Sequence, residues 1–262
     1  MKYGVCFGVD QPQQIKMAKD AGFDYVECGF QSIVLDSEAQ RAAFVQALHD
    51  NDIRCEAANC FLPGAMKVIG TDFRRQEMRD FIETGFRRGK EWGLKVVSFG
   101  SSGARRLPDD VSFGDGVRQL GLFLRDVVAP LAEQYDITVA VEPLNVQETN
   151  IIHTLNEGVM LASFAGSNHV SCLADVYHMQ FVNDTNDDIR RLKGCIAHGH
   201  ISNPKPAIAE HKRTFPKDKD EFDYAGFVAA LADAGCPRCS IEARCLDFPT
   251  EVKTSGALLK SL

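Results

Sequence analysis

The chain has 262 residues, 45% of them hydrophobic and 25% charged, with a formal net charge of −7. That length allows a sizeable core, and the acidic balance excludes general attraction to nucleic acid or an anionic membrane. No apolar run approaches a membrane span, Met1–Phe7 lacks the pattern of a signal peptide, and the nine cysteines are odd in number and lie mostly on apolar strands. A cytoplasmic protein with reduced thiols and no nucleic-acid or membrane partner is expected.

Strand-like and helix-like patterns alternate along the chain. Residues 3–7 read as a first strand, after which Pro12 opens a helix to Asp20 that Gly22 closes. A second strand over 24–29 precedes a helix capped by Asp36 or Ser37 and ending near Asn51, and a third strand covers 53–61. Thr71 or Asp72 caps a long helix to Gly93, strand four spans 94–99, and Gly100-Ser101-Ser102-Gly103 reads as flexible. One helix is expected over 113–135, then strand five over 138–141, a helix over 155–164 and strand six over 169–175. A helix over 184–192, strand seven over 194–202, a helix over 223–234, strand eight over 238–243 and a final helix complete the chain.

Eight strands separated by eight helices indicate a closed parallel (β/α)8 barrel, one α/β domain over residues 1–262. An open doubly wound sheet fits less well, because Gly4-Val5-Cys6-Phe7-Gly8 lacks the third glycine at a helix start that a dinucleotide site requires. The irregular stretch at about 203–221 is long enough to expect a lid over the barrel mouth.

Four consecutive strand ends carry groups able to bind a cation. Glu142 follows the buried pattern Thr138–Val141 and precedes Pro143, which ends the ladder and holds Glu142 extended; Asp175, His200 and Glu242 end the next three strands. Catalytic groups of such barrels come from the carboxyl ends of strands, so the agreement points to a metal site. An oxygen-rich set with one imidazole suits Mn²⁺ best, with Mg²⁺, Co²⁺ or Zn²⁺ as alternatives. Glu142 and Glu242, on strands five and eight, lie on roughly opposite sides of an eight-strand ring and are the candidate catalytic acid and base.

Other residues have competing readings. His198 is favoured as a core histidine over a second ligand, and Glu27 divides between a substrate hydroxyl contact and a buried salt bridge. Cys236-Pro237-Arg238-Cys239 has zinc-knuckle spacing without a partner pair and reads as structural. The mixed charges over 212–221 read as a solvated loop.

These motifs resemble the metal-dependent sugar isomerases and epimerases of the xylose-isomerase-like TIM-barrel superfamily, and within it the ketose 3-epimerase group. Glu142-Pro143-Leu144-Asn145 with Glu148 is similar to that group's strand-five motif, and Asp175-Val176-Tyr177-His178-Met179 to its strand-six motif; His200-Ile201 and Glu242 match as weaker signals. The resemblance implies that Glu142, Asp175, His200 and Glu242 bind one divalent ion while Glu148 and His178 touch substrate hydroxyls. It departs after strand seven, where Asn203-Pro204-Lys205-Pro206 leaves the sugar-binding arginine unmatched, and Lys205, His211, Lys212 and Arg213 of the longer loop are offered to a substrate other than a plain ketose. The expectation is a sugar isomerase or epimerase acting on a ketose or related keto-sugar through an enediolate. A metal-dependent lyase or dehydratase on a keto-inositol or oxidised glycoside is the alternative, and assembly into a homo-oligomer stays open.

Overall fold

The computed structural model describes residues 1–205 and 213–262. Eight parallel strands, β1 (Lys2–Cys6), β2 (Tyr25–Gly29), β3 (Arg54–Asn59), β4 (Val96–Phe99), β5 (Thr138–Val141), β6 (Val170–Asp175), β7 (Ile196–Ile201) and β8 (Arg238–Ile241), pair in chain order. β8 closes on β1 in the register Lys2↔Arg238 to Val5↔Ile241. The expected barrel is therefore present.

The two-residue side-chain period of a strand sorts its residues between two environments. Val139 and Val141 belong to the large core shared with the surrounding helices, whereas Ala140 packs with Tyr25, Ala57, Val96 and Leu173 in a separate, fully buried cluster. Two residues further along the same strands, or just past their ends, come Glu27, Asn59, Ser98, Glu142 and Asp175, all buried. The same step leads from His198 to His200 on β7 and from Ser240 to Glu242 beyond β8. An apolar floor thus lies one pleat below a polar layer at the mouth.

Helices form where the patterns place them, with five corrections, the first being an unexpected short helix over Phe30–Leu35. Ser37 caps the helix Glu38–Asp50 in a reciprocal box with Gln40. The next long helix starts at Arg75, with Arg74 at its cap position and not Thr71 or Asp72, and stops at Gly93, whose φ of 98° suits a residue without a Cβ. The helix expected over 113–135 is two helices, Phe113–Phe123 and Ala129–Tyr135, joined by a π-helical turn over Leu124–Val128. Pro130 explains the break, since its ring clashes with the carbonyl four residues earlier and it donates no hydrogen bond. A helix over Val176–Val182 was not expected: Asp175 ends β6 and caps this helix at once, its Oδ1 accepting from the Tyr177 N–H at 2.8 Å. The Gly100–Gly103 stretch contains the start of a short helix, Ser102–Arg105.

All nine cysteines are free thiols, and Cys236 and Cys239 are buried at the turn into β8. No helix among the described residues is long and apolar enough to cross a membrane. Of the expected lid, residues 206–212, including His211 and Lys212, lie outside the described residues. Its flanks are tied down: Asn203 bridges Thr214, and Thr214 bridges Arg244 beyond β8.

Candidate active site

One atom each from Glu142, Asp175, His200 and Glu242 converges at the mouth, all within 4.8 Å of one another. His200 Nδ1 lies 3.1 Å from Glu142 Oε1, 3.2 Å from Glu242 Oε2 and 3.9 Å from Asp175 Oδ2. Each ligand candidate has its other polar atom held elsewhere. Ser98 donates to Glu142 Oε2 at 2.8 Å, the Tyr177 N–H to Asp175 Oδ1 at 2.8 Å, and the Asn59 amide to Glu242 Oε1 at 2.6 Å. His200 Nε2 faces Glu27 Oε1 at 3.0 Å. The side chains are pinned at one end and left to point inward at the other.

This donor set fits a divalent cation. A separation of 4.8 Å is about twice a metal–oxygen bond of ~2.0–2.4 Å, so a single ion can reach all four atoms. Glu242 Oε2 is buried and faces only cationic or imidazole nitrogens among the described residues, Arg213 at 2.7 Å and His200 at 3.2 Å. Three carboxylates and one imidazole with supporting partners suit a hard or borderline ion.

Arg213 supplies a positive charge at this place. Its guanidinium contacts Asp175 Oδ2 at 2.5 Å and Glu242 Oε2 at 2.7 Å and lies over the Tyr177 ring, 5.1 Å from its centroid. Asn203-Pro204-Lys205-Pro206 offers no arginine after strand seven, and Arg213 is the guanidinium that reaches the mouth among the described residues. The reading of 212–221 as a solvated loop is corrected at Arg213, whose guanidinium is drawn to the Asp175 and Glu242 carboxylates.

The crowded charges shift one another. Burial alone disfavours the charged form of His200, yet the Glu242 and Glu27 carboxylates hold its pKa well above the ordinary value. Burial would raise Glu242, but Arg213 and His200 hold it well below the usual carboxylate range. Glu142 is lowered in the same way, against its burial, by the hydrogen bond and charge of His200. Asp175 is pushed up to about 7 by burial, which Arg213 only partly offsets. Burial lowers His178 to about 3, so its ring is neutral.

The open side is a cavity of about 370 Å³ whose lining includes Glu142, Glu242, Glu148, His178, Arg213 and Cys60. A second cavity of about 410 Å³, with Phe7, Tyr177 and Arg244 in its wall, shares Glu148, Arg213 and Glu242. Glu148 and His178 therefore face the space a substrate would enter. His178 Nδ1 faces the Asn145 N–H at 3.2 Å, and the Asn145 amide donates to Glu148 at 3.1 Å, so one asparagine orients both.

The other two expected substrate contacts are placed differently. Glu27 is fully buried, and each of its oxygens is engaged by a histidine, His198 at 3.0 Å and His200 at 3.0 Å. It stands behind the ligand candidates and lines neither cavity. Lys205 is exposed, with its backbone N–H bound to Asn203 Oδ1, and is also absent from both linings. His198 is buried one pleat below His200, as a core histidine would be.

Sequence reasoning missed the groups that seat Glu142. Arg105 is fully buried and donates to the carbonyls of Phe99 at 3.0 Å and Glu142 at 2.6 Å, clamping the ends of β4 and β5 together. Gly100 leaves room for the carboxylate, since a Cβ there would lie 2.4 Å from Glu142 Oε2.

Comparison with known proteins agrees with this architecture. A D-psicose 3-epimerase of Agrobacterium fabrum (strain C58 / ATCC 33970) is 26% identical over 191 residues, 71% of this chain and 64% of the relative, so the chain spans somewhat under two thirds of that protein's length. The crystal structure of a D-psicose 3-epimerase with D-tagatose from Clostridium cellulolyticum H10 is similar with a TM-score of 0.80 at 18% identity, covering 100% of this chain and 98% of that one. That of 3-keto-D-glucoside 4-epimerase from E. coli, in its apo form, gives a TM-score of 0.81 at 19% identity with 100% coverage of both chains. The family described as xylose isomerase-like TIM barrel matches residues 15–262. Since that match runs from within the first helix to the last residue, the chain belongs to the xylose isomerase-like TIM barrel family.

Proposed function

We propose that the protein is a divalent-metal-dependent sugar epimerase, acting on a ketose or related keto-sugar by proton transfer beside the carbonyl. The observation that carries this reading is the convergence of four inward-facing ligand atoms within 4.8 Å, two of them from carboxylates that line an open cavity. The likeness to a psicose 3-epimerase and a 3-keto-glucoside 4-epimerase supports the same chemistry. Mn²⁺ or a comparable ion would be held by Glu142, Asp175, His200 and Glu242, and would supply Lewis acidity toward the substrate oxygens.

The residues divide the remaining tasks. Glu142 and Glu242 are the acid–base pair: one takes the proton from the substrate carbon, and the other returns a proton to the opposite face of the enediolate. His178, with its Nδ1 turned to the Asn145 N–H, carries its proton on Nε2 and donates it to a substrate oxygen. Glu148, raised by burial, accepts from a sugar hydroxyl. Arg213, fixed over Tyr177, donates to a second oxygen. Lys205 and Glu27 have no direct part in substrate binding.

The test is incubation of Mn²⁺-loaded protein in D₂O with a panel of ketohexoses and 3-keto-glucosides, read by NMR. Deuterium should enter one carbon beside the carbonyl, with epimeric product of otherwise unchanged composition. Release of water or of a sugar fragment would instead identify a lyase.

A further inference from the structure

Glu27 sits on the opposite side of the barrel from the histidine it touches, 173 residues away in sequence, and both are fully buried. Its two carboxylate oxygens face two imidazole nitrogens, Oε1 the Nε2 of His200 and Oε2 the Nε2 of His198. A carboxylate only accepts, so each histidine must present an N–H at Nε2. For His198 the consequence is visible: its Nδ1 is buried with no partner, as a bare lone pair would be and as an N–H would rarely be tolerated. For His200, whose Nδ1 also faces the Glu142 and Glu242 carboxylates, a proton held at Nε2 by Glu27 makes the Nδ1 proton the one that a bound cation would displace.

We propose that Glu27 is a positioning residue for the cation site, held in place by His198, which selects the His200 tautomer with Nδ1 free to coordinate. The inference rests on the metal-site reading above. Without Glu27, the neighbouring acceptors of His200 are Glu142 and Glu242, and a proton on Nδ1 pointing at them would block the coordinating position. With Glu27 in place, the imidazole ring is also fixed in rotation, because its Nε2 is anchored across the barrel interior. His198 engages the second oxygen, so the carboxylate cannot turn away from His200. Ser240 approaches the same His198 nitrogen at 3.5 Å and Tyr25 at 2.8 Å, closing this network against the apolar floor.

The experiment is calorimetric titration of ion-free protein with Mn²⁺, comparing the native chain with Glu27→Gln, alongside thermal unfolding of both without metal. A single amide oxygen cannot serve both imidazole N–H groups, so Glu27→Gln should weaken Mn²⁺ binding about 10–100-fold, as loss of a partner behind a ligand does. Equal affinity in the two proteins would overturn the proposal. Should Glu27→Gln fail to fold, ¹⁵N NMR of the histidine rings in the native protein loaded with Zn²⁺ decides: ligation at Nδ1 with a proton at Nε2 of His200 supports the assignment, and ligation at Nε2 rejects it. A native protein that binds no Mn²⁺ would instead remove the metal-site reading itself.

Discussion

The two sides of the barrel mouth differ in what they contribute. Strands β5 to β8 supply the inward-facing atoms of Glu142, Asp175, His200 and Glu242, whereas β2 to β4 supply Glu27, Asn59 and Ser98, whose polar atoms hold three of those four from behind. The first set offers charge to a ligand and the second gives that charge a direction. A carboxylate at a strand end has freedom in its side-chain torsions; an anchored one is already oriented, so less is lost on binding and at the moment of reaction. Changes on the β5–β8 side should remove chemistry outright, and changes on the β2–β4 side should degrade it while leaving the fold intact.

The largest effect is expected at the acid–base pair. Glu142→Gln should slow exchange of the substrate proton into D₂O by about 10²–10⁴-fold in Mn²⁺-loaded protein, measured by NMR. Undiminished exchange would remove Glu142 from the pair. On the supporting side, Gly100→Ala inserts a methyl 2.4 Å from Glu142 Oε2, and the carboxylate must leave its Ser98 hydrogen bond to make room. A displacement of that size should lower kcat by roughly 10²-fold with the thermal midpoint close to that of the native chain. A large fall in the midpoint with kcat preserved would show that this wall serves folding and not alignment.

Arg105 sharpens the distinction, because it belongs to the supporting side yet acts on backbone. Its guanidinium donates to the Phe99 and Glu142 carbonyls and has no carboxylate partner among the described residues, so Arg105→Met takes the side-chain donor from both, although Phe99 keeps the Glu142 N–H at 3.2 Å. The expected loss is about 1–3 kcal/mol of unfolding free energy in urea, and an unchanged midpoint would contradict the clamp. The smallest effect serves as a control away from the mouth. Glu251 accepts from Lys217 at 2.8 Å and from the Leu246 N–H at 3.0 Å, and although burial would raise its pKa, these hydrogen bonds and that of Cys245 hold it at about 2. Because the folded value is depressed, its contribution is present in full above the ordinary carboxylate range and is lost as pH falls toward 2. Glu251→Gln should therefore cost about 1 kcal/mol at neutral pH, with the gap closing between pH ~4.5 and ~2 and activity unaffected at neutral pH.

The same division explains what could be read from sequence. Glu142, Asp175, His200 and Glu242 stand out because each is a polar residue ending a buried apolar run, and the order of strands alone brings them to one end of a barrel. Their supports carry no such mark. Ser98, Asn59 and Gly100 are common residue types at common places, and their meaning depends on contacts with strands far away in the chain. Glu27 reads from sequence as a strand-end carboxylate in either a hydroxyl contact or a buried salt bridge, and the structure shows the second, with partners on β7 that the sequence does not name. Arg213 lies in a stretch without periodicity, where only the folded loop brings a guanidinium to Asp175 and Glu242. The helix over Val176–Val182 was hidden because one residue, Asp175, serves as both strand end and helix cap.

The central claim is that these four strand ends hold a single cation. Anomalous diffraction from crystals soaked in Mn²⁺ addresses it directly. One peak within about 2.0–2.4 Å of Glu142 Oε1, Asp175 Oδ2, His200 Nδ1 and Glu242 Oε2 is the predicted result. Absence of a peak there, or Mn²⁺ bound by other residues while Asp175 and Glu242 keep their contacts with Arg213, would contradict it.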